Sequence, residues 1–145
     1  MPQIPSLRQQ LDRALGALGE LLGRPVALDA QGVCRLRIGR RPPVTIEWNE
    51  PAACVAVHSR LPWVVPPERR DAVARALLAA HLGGGATLGC AFWTTADGAF
   101  VVGHTLLGPT LDEHLLLETI GRVCRVVDRI ANPAFGGDLA ALLEP

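Results

Sequence analysis

Between Cys34 and Ile38 apolar and charged residues alternate without a break, and between Val44 and Trp48 apolar and polar residues alternate again. A period of two admits only one regular structure, because successive side chains of a strand point to opposite faces. Cys34, Leu36 and Ile38 therefore share one face against Arg35 and Arg37. Val44, Ile46 and Trp48 share another against Thr45 and Glu47. Such strands are half-buried and antiparallel. Arg40-Arg41-Pro42-Pro43 makes their connection, and Asn49-Glu50-Pro51 the next turn. The run Ala53–His58 is apolar on both faces and reads as a more central strand. A short pairing segment is expected at Val26–Asp29, before a turn at Asp29-Ala-Gln-Gly32.

On either side of this block the period changes to 3.6. Ser6-Leu-Arg-Gln9 matches a capping box and opens a helix to Leu22, stopped by Gly23 and Pro25. Leu7, Leu11, Ala14, Leu15, Leu18, Leu21 and Leu22 fall in an apolar arc of about 120°, with Gly16 and Gly19 assigned to the polar side. Pro66-Pro67 opens a second helix to Leu82, which Gly83-Gly84-Gly85 ends. Val73, Ala76, Leu77 and Ala80 form one of its faces, and Ala74, Leu78, Ala79 and Leu82 cover much of the rest. A helix apolar nearly all round is buried on two sides, and in so small a domain the second side belongs to another subunit. Thr87–Trp93 and Ala99–Leu106 form a hairpin around Asp97-Gly98. A third helix starts after Gly108-Pro109, with Thr110-x-x-Glu113 as a second capping box, and runs to Ala131. Its exposed ridge pairs Glu118 with Arg122.

The order is α-β-β-β-α-β-β-α: an α+β fold, an antiparallel twisted sheet with helices packed on it. Residues 1–132 form one domain, and 133–145 are expected to be a mobile tail.

Composition narrows the function. All 14 basic residues are Arg, they balance 14 acidic ones, and Lys and Tyr are absent. A net charge of zero without a basic run argues against nucleic acid and membrane surfaces. The N-terminus lacks the basic and apolar regions of a signal peptide, so the expected location is the cytoplasm. Cys34, Cys54, Cys90 and Cys124 form no C-x-x-C pair and read as buried, reduced thiols. No metal-ligand spacing, phosphate loop or catalytic constellation stands out. A thiol enzyme using Cys90, facing His104 across the hairpin, or Cys124 is the alternative from another class. A peptide- or ligand-sensing module of the same architecture is a third.

The leading amphipathic helix, Leu22-Gly-Arg-Pro-Val-Ala-Leu-Asp29, Gly32-Val-Cys-Arg-Leu-Arg-Ile38, Val44-Thr-Ile-Glu-Trp48, Ala76-Leu-Leu-Ala-Ala-His-Leu82, Leu88-Gly-Cys-Ala-Phe-Trp93 and Ala96-Asp-Gly-Ala-Phe-Val-Val102 belong to one pattern. From Leu7 to Ala131 it resembles the class I type III secretion chaperones (Tir-chaperone-like), small bacterial proteins that hold effectors for export. The resemblance implies a non-enzymatic homodimer that needs no cofactor. Its subunits would meet around the second helix and the strand after it, at Ala74, Leu78, Ala79, Leu88, Ala91 and Trp93. It also implies that an extended N-terminal effector segment wraps the dimer, by strand addition and by apolar insertion into shallow grooves. The grooves would be walled by Leu11, Leu15 and Leu18 of the first helix and by Leu36, Ile46 and Trp48 of the strands. Relatives of this kind are commonly acidic. For this neutral chain, effector binding is expected to depend weakly on salt.

Overall fold

The computed structural model describes residues 3, 5–82, 87–107 and 111–131. The elements are α1 (Leu7–Leu22), β1 (Val33–Leu36), β2 (Val44–Asn49) and β3 (Cys54–Arg60). A 3-10 turn (Pro67–Arg69) then leads into α2 (Arg70–Leu82), β4 (Ala91–Thr94), β5 (Phe100–Leu106) and α3 (Glu113–Ala131). This is the α+β order read from the sequence.

Every strand pair is antiparallel, and the sheet order is β1-β2-β3-β5-β4. The register places Cys34 opposite Ile46, Ile46 opposite Val57, and Val57 opposite His104. Directly opposed residues share a face. The side carrying Leu36, Val44, Ile46, Val55, Val57 and Val102 is therefore continuous across the sheet, and all six are buried. α3 lies on this side against β2, β3 and β5, and α1 packs on α3. Val73 and Leu77 of α2 enter the same core. β3 lies between β2 and β5, as its two-sided apolar pattern requires.

On the opposite side Trp93 covers Gly103, and His58 meets the Trp93 ring edge-on at 5.7 Å between centroids. A Cβ at Gly103 would lie 2.5 Å from the Val57 carbonyl oxygen and 2.6 Å from both His58 Cβ and the Trp93 ring. The absence of a side chain there lets Trp93 lie down on the sheet.

The ends of several elements differ from the sequence reading. Thr87–Gly89 is a turn, not strand: Cys90 N–H donates to the Thr87 carbonyl at 2.8 Å, and Leu88 and Gly89 have φ of 49° and 80°. β1 stops at Leu36, ahead of Gly39 at φ 61°. Residues 26–29 form no strand, although Asp29 N–H donates to the Val33 carbonyl at 2.9 Å. Asp112 caps α3, its carboxylate accepting from Leu115 N–H at 2.8 Å. The Thr110 capping box, the Gly83-Gly84-Gly85 stop and the tail at 133–145 lie outside the described residues. The Ser6 capping box of α1 and the Glu118–Arg122 pair, at 2.9 Å, form as read. Gly19 is buried rather than on the polar side, because the chain after α1 turns back over it.

Candidate partner-binding site

α1, the end of β1 and the middle of α3 enclose an open groove of about 450 Å³. Amphipathic periodicity brings the three walls together: α3 turns its valine- and isoleucine-rich stripe to the sheet, and the leucine stripe of α1 packs against α3. Leu18, Leu36 and Ile120 form the floor, with Leu22, Ile38 and Leu117 nearer the mouth. The rim is charged. Arg24, Arg37, Arg41 and Arg125 line it, with Asp128 as the one acidic lining residue.

Arg41, from the β1–β2 connection, holds Asp128 of α3 in a two-pronged pair, Nε to Oδ1 at 2.8 Å and Nη2 to Oδ2 at 2.7 Å. That pair keeps the Asp128 carboxyl below its ordinary value, chiefly through the Arg41 hydrogen bond. Cys124 lies in the groove wall, its thiol pushed up mainly by burial.

The six residues expected to bind a partner separate here. Leu18 and Leu36 reach the groove floor. Leu11, Leu15 and Ile46 are closed into the core at 0–1% exposure, so their stripe holds the monomer together rather than facing a groove. Trp48 is half-buried on the core side, beside Gly32. Leu22, Ile38 and Leu117 are the groove residues that sequence reasoning missed. Leu21 and Leu22 belong to the apolar arc of α1 by spacing, yet both are exposed, so the core ends before the stripe does.

The outer edge of β1 is largely occupied. Trp48 N–H donates to the Gly32 carbonyl at 2.8 Å, so by alternation the backbone groups of Val33 and Arg35 point away from β2. The Asp29 backbone N–H and carboxylate take both Val33 groups, and Arg24 reaches the Arg37 carbonyl at 3.4 Å. Among the described residues, Arg35 is the one position of β1 whose outward backbone groups meet no partner.

The residues expected at a subunit interface lie on α2, on β4 and in the turn before it. His81 Nδ1 ties the last turn of α2 to the Cys90 carbonyl at 3.0 Å. Leu78 is 59% exposed and Leu82 88%, Ala79 and Ala91 are exposed, and Trp93 is 36% exposed. Ala74 is half-buried, as is Leu88 in its turn. One side of α2 is buried, and the other leaves Leu78, Ala79 and Leu82 open beside Asp71 and Arg75. Among the described residues no helix is long and apolar enough to cross a membrane.

Burial disfavours the thiolate at both candidate nucleophiles, Cys90 and Cys124. Cys90 is fully buried, its thiol pushed up mainly by desolvation, and it makes no hydrogen bond with His104. A thiol held protonated in an apolar site is inert. Among the described residues no group of three His, Cys, Asp or Glu is placed to hold a metal ion.

A sequence model described as the Tir chaperone protein (CesT) family matches residues 13–130. No curated protein sequence matches the chain. Among solved structures the chain is similar to a chain of the ExsC–ExsE complex, with a TM-score of 0.71 at 15% identity, covering 87% of this chain and 94% of that one. It is also similar to a chain of the HopA1–SchA chaperone–effector complex, with a TM-score of 0.61 at 13% identity over 79% and 88% of the two chains. The heterodimeric ExoU–SpcU complex from the type III secretion system of Pseudomonas aeruginosa gives a TM-score of 0.56 at 17% identity, covering 93% and 98%. At such identities these likenesses establish the fold.

Proposed function

The chain belongs to the Tir chaperone protein (CesT) family, and we propose on that footing that it is a cytoplasmic chaperone for a type III secretion effector. It binds an extended segment near the effector's N-terminus, keeps that segment unfolded and soluble, and presents it for export. The observation that carries this reading is the apolar groove between α1, β1 and α3, walled by Leu18, Leu22, Leu36, Ile38, Leu117 and Ile120. A folded partner has no loose apolar side chains to insert there; an unfolded segment does. The gain is burial of those side chains, at about 25 cal/mol per Å² of apolar surface, set against the cost of ordering a flexible chain. With the β1 edge mostly taken, insertion outweighs strand addition on this side of the sheet.

The working unit is a homodimer through the open side of α2 and β4, at Ala74, Leu78, Ala79, Leu88, Ala91 and Trp93. Exposed leucines at helical spacing are the support, since monomers rarely leave a contiguous apolar patch uncovered.

The test is co-expression with secreted proteins encoded by the same bacterium, followed by mass measurement of the purified complex. A dimer carrying one effector is expected. A monomer that retains no secreted protein would sink the proposal. Leu117→Asp at the groove mouth should lower the effector yield while leaving a dimer.

A further inference from the structure

The neutral total charge hides a local asymmetry. Four of the chain's Arg residues line one groove and a single Asp answers them, a local excess of three positive charges around an apolar floor. Arg24, Arg37 and Arg125 have no carboxylate within pairing distance among the described residues; Arg24 donates instead to the Arg37 carbonyl. The same rim shows how it holds a carboxylate: Arg41 grips Asp128 with two parallel hydrogen bonds. A guanidinium is a planar fork shaped for that ligand, and beside low-dielectric walls its field is focused rather than dispersed.

We infer that the groove selects a segment in which apolar side chains alternate with aspartate or glutamate, the leucine-type residues entering the floor and the carboxylates meeting Arg24, Arg37 and Arg125. This rests on the reading of the groove as the effector-binding site and adds the chemistry of the segment it takes. An uncharged or basic apolar segment fills the floor equally well but leaves the three guanidiniums unanswered or opposed. Salt then screens what the total charge conceals. Weak salt dependence, expected from the neutral sequence, gives way to a marked one.

The probe is a labelled peptide alternating leucine with serine and glutamate, compared with counterparts carrying glutamine or arginine in place of each glutamate. The glutamate peptide should bind about 10-fold more tightly than the glutamine one, as three exposed ion pairs of roughly 2-fold each predict. That advantage should disappear in the R24Q/R37Q/R125Q triple variant and shrink strongly between about 0.05 and 0.5 M NaCl. Equal binding of glutamate and glutamine peptides, both weakened by Leu117→Asp, would overturn the inference and leave the groove reading standing. If neither peptide binds and Leu117→Asp leaves effector capture unchanged, the groove reading itself falls. Capture by phosphatidylserine vesicles, with no preference for the glutamate peptide, would also overturn the inference, since the rim would then serve a lipid surface.

Discussion

At the scale of single residues, the glycines show how environment reverses an intrinsic preference. Gly16 and Gly19 sit one turn apart in α1, and by propensity each costs the helix stability relative to alanine. A Cβ at Gly16 meets nothing within 4 Å, whereas at Gly19 it would lie 2.8 Å from the Arg24 carbonyl and 3.0 Å from Val26 N. Gly16→Ala should therefore stabilise the fold by about 0.5–1 kcal/mol. Gly19→Ala should destabilise it, because the backbone that closes over α1 has to move. Gly103→Ala is more costly, at about 2–3 kcal/mol, since the added methyl strikes both the Val57 carbonyl and Trp93. Urea denaturation of the three variants checks both sign and order.

At the scale of elements, alternation and helical stripes made most of the fold legible. The two strands read from a period of two are β1 and β2, and the two-sided run at Ala53–His58 is β3, inside the sheet. Legibility stopped where backbone geometry decides: the turn at Thr87–Gly89 carries β-compatible side chains, but Leu88 and Gly89 adopt positive φ. The site was legible in part. Leu11 and Leu15 share a stripe with Leu18, and periodicity cannot say where along a stripe the core ends and a groove begins; the third element closing over it decides. For α2 the reading of a two-sided apolar helix meets a structure in which one side is open. Leu78 projects outward at 59% exposure, so Leu78→Asp leaves the monomer core intact. Under the proposed dimer it should yield a folded monomer, with an unchanged circular dichroism spectrum and half the mass by light scattering. Trp48→Asp, by contrast, buries a charge beside Gly32 on the core side and should destabilise the fold itself by more than about 2 kcal/mol.

At the scale of the whole molecule, an unusual composition isolates one group of titrations. With no Lys and no Tyr, the side chains that lose protons between pH 8 and 11 are the thiols alone, since Arg titrates far higher. Burial is the largest cause raising Cys34, Cys90 and Cys124 above the ordinary thiol value of 9.0. On the acid side, Asp97 and Asp128 are lowered, Asp97 chiefly by the Thr95 hydroxyl and Asp128 by Arg41. The sign follows from proton counting. Below their ordinary value the lowered carboxyls hold fewer protons folded than unfolded, so their stabilisation is lost as pH falls below about 4. Both are exposed, so that acid limb is shallow. Above pH 9 the unfolded chain releases thiol protons that the folded chain retains, and stability falls as pH rises. Three raised thiols act in the same direction, so their losses add as the unfolded chain ionises. Denaturant midpoints measured from pH 5 to 11 should therefore be flat near neutrality and fall steeply beyond 9. Cys90→Ala should make the alkaline limb shallower even where it lowers stability at pH 7. An alkaline slope unchanged by Cys90→Ala would show that burial of Cys90 does not protect its proton.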